Sequence, residues 1–191
     1  IYIIIIKMIG EICKSPHLKR LVELKDGMDC KVYLEIGVLY GGSIIQLMES
    51  DKECNFIGID PFTGYYGNEY DPHRNVNLKN HLDIVCSNID EANKHNHKYT
   101  LMKGKSNEMV EPFKSLDLVV DYLFIDGDHS KQGVIDDFIN YKNFVADDGI
   151  IVFDNYKDPA WPEVEAGVEY ILKNYGYKLL EEFGYCCVLQ K

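Results

Sequence analysis

Two short stretches of the sequence each end an apolar run with acidic or amide side chains. Asp126 lies in FIDGDHS (124–130), and Asp154 and Asn155 lie in VFDNY (152–156). If the two runs form neighbouring strands, about 4.8 Å apart, the oxygens at their ends can converge on one hard cation. Mg²⁺ prefers oxygen ligands and keeps several waters or substrate oxygens. The sequence therefore predicts a metal site formed by Asp126, Asp154 and Asn155.

A candidate proton acceptor lies beside these ligands. His129 follows Asp126 by three residues and can lean back over the same site. Histidine has an ordinary pKa of about 6.5, which suits it to taking a proton at neutral pH. We expect His129 to act as a general base, with Asp128 as a reserve base or turn former and Ser130 as a helix cap. The other five histidines lie in polar surroundings and are expected to face solvent.

Two other interpretations of FIDGDHS compete with a metal site shared between strands. A calcium-binding EF-hand loop would use Asp126, Asp128 and Ser130 as its first ligands, but Lys131 occupies the glycine position and Asp137 the final glutamate position. We reject that interpretation. A simple turn and helix cap explains Ser130, but it does not explain the matching acid and amide at the next strand end.

A glycine-rich turn, EIGVLYGGS (35–43), lies between a predicted strand and a predicted helix. Gly37 and Gly41 let a ligand approach the backbone, and the helix start offers free N–H groups to an anion. Leu39 stands where a dinucleotide-binding turn would have glycine. Asp60 ends the second strand, 23 residues after Gly37, where an acid can accept hydrogen bonds from ribose hydroxyls. The alternatives are a turn packed on the sheet and an ordinary loop acid.

Strand-like and helix-like segments alternate along the chain, which is typical of an α/β protein. The 191 residues, 46% of them hydrophobic, suit one compact domain. We predict a doubly wound, Rossmann-like, mostly parallel seven-stranded sheet with helices on both faces and an antiparallel hairpin at the C-terminal end. The predicted strands are 31–37, 54–60, 99–104, 121–126, 149–154 and two within 177–191; the predicted helices are 42–50, 81–95, 107–115, 131–145 and 162–175.

Composition excludes several classes of partner. A net charge of −11 without a basic run argues against nucleic acid and anionic membranes. The six cysteines form no C-x-x-C pair, so their spacing indicates neither a zinc site nor a disulfide framework and favours the reducing cytoplasm.

The beginning of the chain is expected to form a separate feature. The apolar start, IYIIIIKM, has an unbroken apolar run of six residues, short of the roughly 20 that span a bilayer. Residues 1–30 are expected to form an arm or helix linked to a preceding domain, and residues 31–191 the main domain. The first residue is Ile instead of Met, which suggests a piece of a longer polypeptide.

From about residue 31 to 155, the motifs resemble, in order, those of the metal-dependent class I S-adenosylmethionine (SAM) O-methyltransferases. This group includes catechol, caffeoyl-CoA and macrocin-type sugar methyltransferases. The resemblance implies SAM and a divalent ion, Mg²⁺ or Mn²⁺, as cofactors, and His129 as the base. It also implies that Glu35, Gly37, Gly41 and Ser43 hold the methionine end of SAM and that Asp60 holds the ribose. Ser106 and Asn107 of GKSNE would lie on the adenine side. Asp126, which also borders SAM, would bind the metal together with Asp154 and Asn155.

The acceptor is expected to be a hydroxyl of a small molecule or glycan. A long aromatic loop (61–77) can supply contacts through Tyr65, Tyr66, Tyr70, His73 and Arg74, joined by Tyr156 and Trp161. Trp161 is equally well explained as a packing residue at a helix start.

The two clues to the acceptor class disagree. The sequence FIDGDHS favours the sugar-type enzymes, whereas the pair Asp154 and Asn155 favours the catechol type. We expect a sugar hydroxyl first, with attached glycosyltransferase domains, and a phenol second. A cofactor-binding module without catalysis and an NAD-dependent dehydrogenase are the rival hypotheses.

Overall fold

The computed structural model describes residues 16–63 and 80–191. Its helices and strands alternate as the sequence predicts. The seven strands are β1 Val32–Ile36, β2 Asn55–Asp60, β3 Lys98–Lys103, β4 Val120–Ile125, β5 Val145–Phe153, β6 Lys178–Phe183 and β7 Cys186–Gln190. The six α-helices are α1 Pro16–Gly27, α2 Gly42–Leu47, α3 His81–Ala92, α4 Val110–Lys114, α5 Lys131–Tyr141 and α6 Pro162–Asn174.

One seven-stranded sheet forms the centre of the structure, with strand order β3-β2-β1-β4-β5-β7-β6. The first five strands in this order pair in parallel, and β7 pairs antiparallel with both β5 and β6. The chain order reverses between β1 and β4, and ligands of doubly wound sheets bind at such a point, beyond the carboxyl ends of the strands. The predicted fold class is therefore confirmed.

The two faces of the sheet carry separate hydrophobic layers. One layer packs α1, α2 and α3 on the sheet through residues such as Leu21, Ile44 and Ile89. The other packs α4, α5 and α6 through residues such as Phe113 and Phe138. None of the helices in the described ranges is long and apolar enough to cross a membrane.

The structure differs from the sequence prediction in where some elements begin. Strand β5 starts at Val145, four residues before the predicted start at Gly149. Residues 146–148, which are largely exposed and include two aspartates, also belong to the strand. The helix expected over 107–115 is a 3₁₀ turn, Ser106–Glu108, followed by α4. The apolar N-terminal run lies outside the described residues.

Two histidines that were expected to face solvent are buried. His81 is 1% exposed, and its Nε2 lies 2.9 Å from the backbone oxygen of Leu39. His97 is 6% exposed, and its Nε2 lies 2.8 Å from the backbone oxygen of Ser50. Each imidazole thus ties a helix or strand to a distant turn, a role that the polar sequence around it does not reveal.

Candidate active site

The polar residues of the predicted site share one face of the sheet. Side chains alternate between faces along a strand, and partners in parallel register point the same way. Glu35 is in register with Phe124, and Phe124 with Val152, so all three point toward the α1, α2 and α3 layer. Asp126 and Asp154 lie two positions beyond Phe124 and Val152. Their carboxylates therefore belong on the same face as Glu35.

The predicted meeting of two strand ends is confirmed. Strands β4 and β5 are neighbours with Ile125 opposite Phe153. The amide of Asp126 donates to the carbonyl oxygen of Ile36 (2.8 Å), and the amide of Asp154 donates to that of Ile125 (3.1 Å). Asp126 and Asp154 thus continue the ladder at the same level of the sheet.

Gly37 brings the ends of β1 and β4 into direct backbone contact. Its φ of +88° lies in the left-handed region, and a Cβ atom there would lie 2.0 Å from the carbonyl oxygen of Asp126. No side chain fits at this position, so glycine is required for packing whether or not a ligand also approaches it.

Glu35 is a buried carboxylate at the end of β1. It accepts hydrogen bonds from the Ser43 hydroxyl (2.5 Å) and from the Tyr33 hydroxyl (2.7 Å). Burial raises the pKa of Glu35 to about 8, since it outweighs these two hydrogen bonds, and the charges of Asp126 and Asp60 add to the rise. The link between Glu35 and Ser43 ties the strand to the start of α2 across the glycine-rich turn.

Asp60 organises the same turn from the end of β2. One of its oxygens, Oδ2, accepts from the amides of Val38 (3.0 Å) and Leu39 (3.2 Å), and the other, Oδ1, accepts from the amide of Phe62 (2.6 Å). Leu39 adopts a φ of +49°, a strained left-handed conformation for a leucine. The Asp60 carboxylate therefore holds the turn in a conformation that its sequence disfavours.

His129 and Asp126 form a pair at the end of β4. His129 Nε2 lies 3.2 Å from Asp126 Oδ1, and the imidazole meets the Trp161 ring edge-on with centroids 4.5 Å apart. Burial lowers the pKa of His129, but the hydrogen bond and the charges of Asp126 and Asp154 outweigh it, so the net shift is upward. Burial and the charge of Asp154 raise the pKa of Asp126 to about 7.

The turn after His129 shows what Asp128 and Ser130 do in the fold. Asp128 is exposed, and its Oδ1 accepts from the amide of Ser130 (2.8 Å), so it stabilises the turn. Ser130 caps α5, as predicted, by accepting from the amide of Gly133 (3.1 Å).

Asp154 has neighbours that sequence reasoning missed. The Cys186 thiol donates to its Oδ1 (3.0 Å), and a ring nitrogen of His17 lies within 4.8 Å of both the Asp154 carboxylate and the Cys186 sulfur. Asn155 follows in a left-handed conformation, with φ at +57°. The sequence does not predict His17 and Cys186 as neighbours of Asp154 because neither residue lies in a motif. They belong to α1 and β7, which approach the end of β5 only in the folded chain.

Ser106, expected near the adenine, contacts α5. Its hydroxyl donates to Asp137 Oδ1 (2.5 Å), and its carbonyl oxygen accepts from the Tyr141 hydroxyl (2.7 Å). Burial raises the pKa of Asp137 to about 6. Asn107 is exposed next to it.

The structure places only one of the described candidate acceptor contacts beside His129. Trp161 lies against His129 and is partly exposed. Tyr156 was expected to contact the acceptor, but it is 5% exposed and packs in the α4, α5 and α6 layer, on the face away from the carboxylates. That expectation was wrong. The remaining contacts, from Tyr65, Tyr66, Tyr70, His73 and Arg74, lie outside the described residues.

This geometry coincides with the region in which the chain matches a known family. A family described as a methyltransferase domain matches residues 34–156, from the buried end of β1 through the turn after β5. The chain belongs to this family. In this methyltransferase domain, the matched region contains the glycine-rich turn, Asp60, the His129 pair and Asp154.

One curated relative matches most of the chain. An uncharacterized protein of Acanthamoeba polyphaga mimivirus, R132, is 36% identical over 146 residues, which make up 75% of this chain and 60% of that protein. The methyltransferase domain thus spans less than two thirds of this relative's length.

Solved structures share the fold. An O-methyltransferase from Bacillus cereus in complex with SAH superposes with a TM-score of 0.68 at 21% identity, over 95% of this chain and 84% of that one. The calicheamicin methyltransferase CalS11 superposes with a TM-score of 0.67 at 15% identity, over 92% and 80%. A second structure of CalS11 is described as a TDP-rhamnose 3'-O-methyltransferase.

Proposed function

We propose that this chain transfers a methyl group from SAM to a hydroxyl held on a divalent metal ion. The observation that carries the proposal is the juxtaposition of Asp126 and Asp154 at adjacent strand ends, with His129 bonded to Asp126. Two acids and a base at the point where the sheet order reverses are an arrangement suited to catalysis.

The donor groups at the strand ends suit cationic ligands. Glu35 and Asp60 are 1% and 2% exposed, and Asp126 and Asp154 lie on the same face. Carboxylates withdrawn from water or placed beside another carboxylate are costly to ionise, which is why the pKa values of the buried Glu35 and of the half-buried Asp126, next to Asp154, are raised. A sulfonium cofactor and a metal ion both supply positive charge. The residues that would hold SAM are Glu35, Gly37, Gly41, Ser43, Asp60, Ser106, Asn107 and Asp126.

The metal ligands in this proposal are Asp126, Asp154 and Asn155. Carboxylate and amide oxygens fit Mg²⁺ or Mn²⁺, and adjacent strand ends bring such oxygens together. When bound, SAM supplies an activated methyl group and the metal ion lowers the pKa of the acceptor hydroxyl. Asp126 and Asp154 would hold the ion at a defined end of the sheet, which would also orient the acceptor.

His129 receives the proton of the acceptor hydroxyl. An ionised Asp126 only accepts hydrogen bonds, so it places the imidazole proton on Nε2 and leaves Nδ1 as the basic atom. The edge-on contact with Trp161 also restricts the ring. Asp128 is the reserve base, although it also stabilises the turn by accepting a hydrogen bond from the Ser130 amide.

A sugar hydroxyl is the proposed acceptor, and a catechol-type phenol is second. The fold shared with a TDP-rhamnose methyltransferase supports the first choice, and the Asp154-Asn155 pair favours the second. Trp161 and the loop residues Tyr65, Tyr66, Tyr70, His73 and Arg74 are the proposed acceptor contacts. Cytoplasmic location, neighbouring glycosyltransferase domains and a boundary near residue 30 stay predictions of the same proposal.

A methyl-transfer assay tests this function. The chain is incubated with methyl-labelled SAM, Mg²⁺ or Mn²⁺, and a panel of nucleotide sugars, glycans and catechols, with and without chelator. We expect label in a sugar acceptor and none after chelation. Tight SAM binding without transfer to any acceptor would favour a binding module, and transfer that survives chelation would exclude the metal-dependent mechanism.

A further inference from the structure

Three side chains of metal-binding type meet beside the end of β5. His17 lies in the first turn of α1, Asp154 follows β5, and Cys186 begins β7. A ring nitrogen of His17, the sulfur of Cys186 and a carboxylate oxygen of Asp154 all lie within 4.8 Å of one another. This set shares Asp154 with the proposed oxygen site, but its other two ligands are nitrogen and sulfur.

The spacing of these atoms is close to that of a tetrahedral metal site. Zinc bonds of about 2.0–2.3 Å to nitrogen, oxygen and sulfur place tetrahedral ligand atoms about 3.3–3.6 Å apart. The Cys186 sulfur and Asp154 Oδ1 are 3.0 Å apart, joined by the thiol proton. Small side-chain rotations would therefore convert the hydrogen-bonded cluster into a ligand set.

The backbone around the cluster accommodates and anchors His17. Gly184, in the turn between β6 and β7, has a φ of +54°, and a Cβ atom there would lie 2.9 Å from the Cβ atom of His17. One helical turn after His17, Arg20 makes two hydrogen bonds of 2.8 Å to Glu181 on β6. The start of α1 is thus fixed against the hairpin that carries Cys186.

We propose that His17, Asp154 and Cys186 bind a thiophilic divalent transition-metal ion, with Zn²⁺ as the model ligand. A thiolate and an imidazole select zinc-like ions over Mg²⁺. On binding, the Cys186 thiol loses its proton to solvent and becomes a thiolate ligand, and the Asp154 oxygen that accepted the hydrogen bond from this thiol is free to become a ligand. Three protein ligands leave a fourth position for water or another ligand.

This inference goes beyond methyl transfer, because it concerns the binding of an ion at a distinct set of atoms. Asp154 is the one residue common to both sets. Zinc at His17 and Cys186 and magnesium at Asp126 and Asn155 would therefore compete for its carboxylate. The proposed zinc site thus offers a way for a soft metal to displace a hard one.

Cobalt spectroscopy tests the inference without an activity assay. The metal-free 191-residue chain is titrated with Co²⁺, and we expect tetrahedral visible bands with a sulfur-to-cobalt charge-transfer band, both removed by Zn²⁺. Cys186→Ala should abolish the charge-transfer band, and His17→Gln should weaken Co²⁺ binding at least about tenfold. The matched controls are Cys187→Ala, the next residue on the opposite face, and His95→Gln, which is exposed.

The outcomes are separable. Absence of the charge-transfer band in the wild-type chain, or its persistence in Cys186→Ala, would overturn the inference. Circular dichroism checks that each variant is folded; should Cys186→Ala unfold, unaltered Co²⁺ affinity in folded His17→Gln would overturn the inference by itself. Failure of methyl transfer would count against the proposed function only, because the cobalt spectrum needs neither SAM nor an acceptor.

Discussion

The imidazole of His129 contacts both Asp126 and Trp161. Its Nε2 lies 3.2 Å from Asp126 Oδ1, and its ring meets the indole at 4.5 Å between centroids. An ionised Asp126 can only accept this hydrogen bond and would place the imidazole proton on Nε2, and the contact with Trp161 limits rotation of the ring. A histidine fixed in this way at the end of β4 is suited to receive a proton from a substrate on the same face of the sheet.

Replacing His129 by alanine should separate catalysis from cofactor binding. We expect turnover to fall by about 10²–10⁴-fold, the usual contribution of a general base. The affinity for SAM, measured by calorimetry, should stay within about twofold, because His129 itself is not among the proposed SAM contacts. His95→Ala, at an exposed position, is the control and should change neither value. Equal losses of turnover and affinity in His129→Ala would mean that His129 has a structural role.

Replacing Gly37 by alanine should destabilise the whole domain. The added Cβ atom would lie 2.0 Å from the Asp126 carbonyl oxygen, at a φ of +88°. We expect a loss of at least about 3 kcal/mol in the free energy of unfolding, measured with urea. Gly27→Ala is the control, since nothing lies within 4 Å of its added Cβ atom and the residue ends α1. A loss below about 1 kcal/mol in Gly37→Ala would show that the strand ends can separate freely.

Asp137 should make stability depend on pH. Burial raises its pKa in the folded chain to about 6, above the ordinary value of 3.8. The folded state therefore favours the protonated acid. The contribution of Asp137 to the stability of the folded chain is fully present below the ordinary pKa and is lost as pH rises through about 6. Asp137→Asn should stabilise the chain by roughly 1–3 kcal/mol at pH 8 and have little effect at acidic pH.

Urea unfolding across the acidic to basic range measures this difference. Asp83→Asn is the control, because Asp83 is exposed in α3 on the other face of the sheet. An equal effect of Asp137→Asn at both ends of the range would contradict the assignment of a buried, raised-pKa acid.

Asp60→Asn should disturb the glycine-rich turn. The carboxylate accepts from three amides, of Val38, Leu39 and Phe62, whereas an asparagine has only one oxygen. At least one amide would then face an NH₂ group, which costs about 1–3 kcal/mol of stability. SAM affinity should fall as well, since the turn borders the proposed cofactor site. Asp83→Asn, at an exposed position in α3, should leave both quantities unchanged.

Sequence patterns predicted the parts of the structure that depend on local chemistry. The apolar runs before Asp126 and Asp154 identified two buried strands. The metal-site hypothesis required these strands to be neighbours, and the structure confirms that they are. Ser130 was predicted as a helix cap because a serine directly before the first residue of a predicted helix suits that role. The end of β5 was predicted correctly, but its beginning was not, because the polar residues after Val145 resemble a turn.

Relationships that depend on distant chain segments could not be predicted. His17 and Cys186 are separated by most of the chain, and only the packing of α1 on the β6–β7 hairpin brings them to Asp154. His81 and His97 looked solvent-facing because their neighbours in sequence are polar, yet each is buried against a distant backbone oxygen. Tyr156 lies next to two proposed ligands, but its side chain packs into the opposite layer of the structure.

The dependence of methyl-transfer rate on Mg²⁺ concentration tests the central claim most directly. The claim is that Asp126 and Asp154 together hold a metal ion that the reaction requires. The wild-type rate should rise from near zero in chelator to a plateau, and Asp126→Asn and Asp154→Asn should each need far more Mg²⁺ or show no transfer. Asp147→Asn, at an exposed position in β5, should behave as wild type. A rate that is independent of Mg²⁺, with both strand-end variants fully active, would contradict the account.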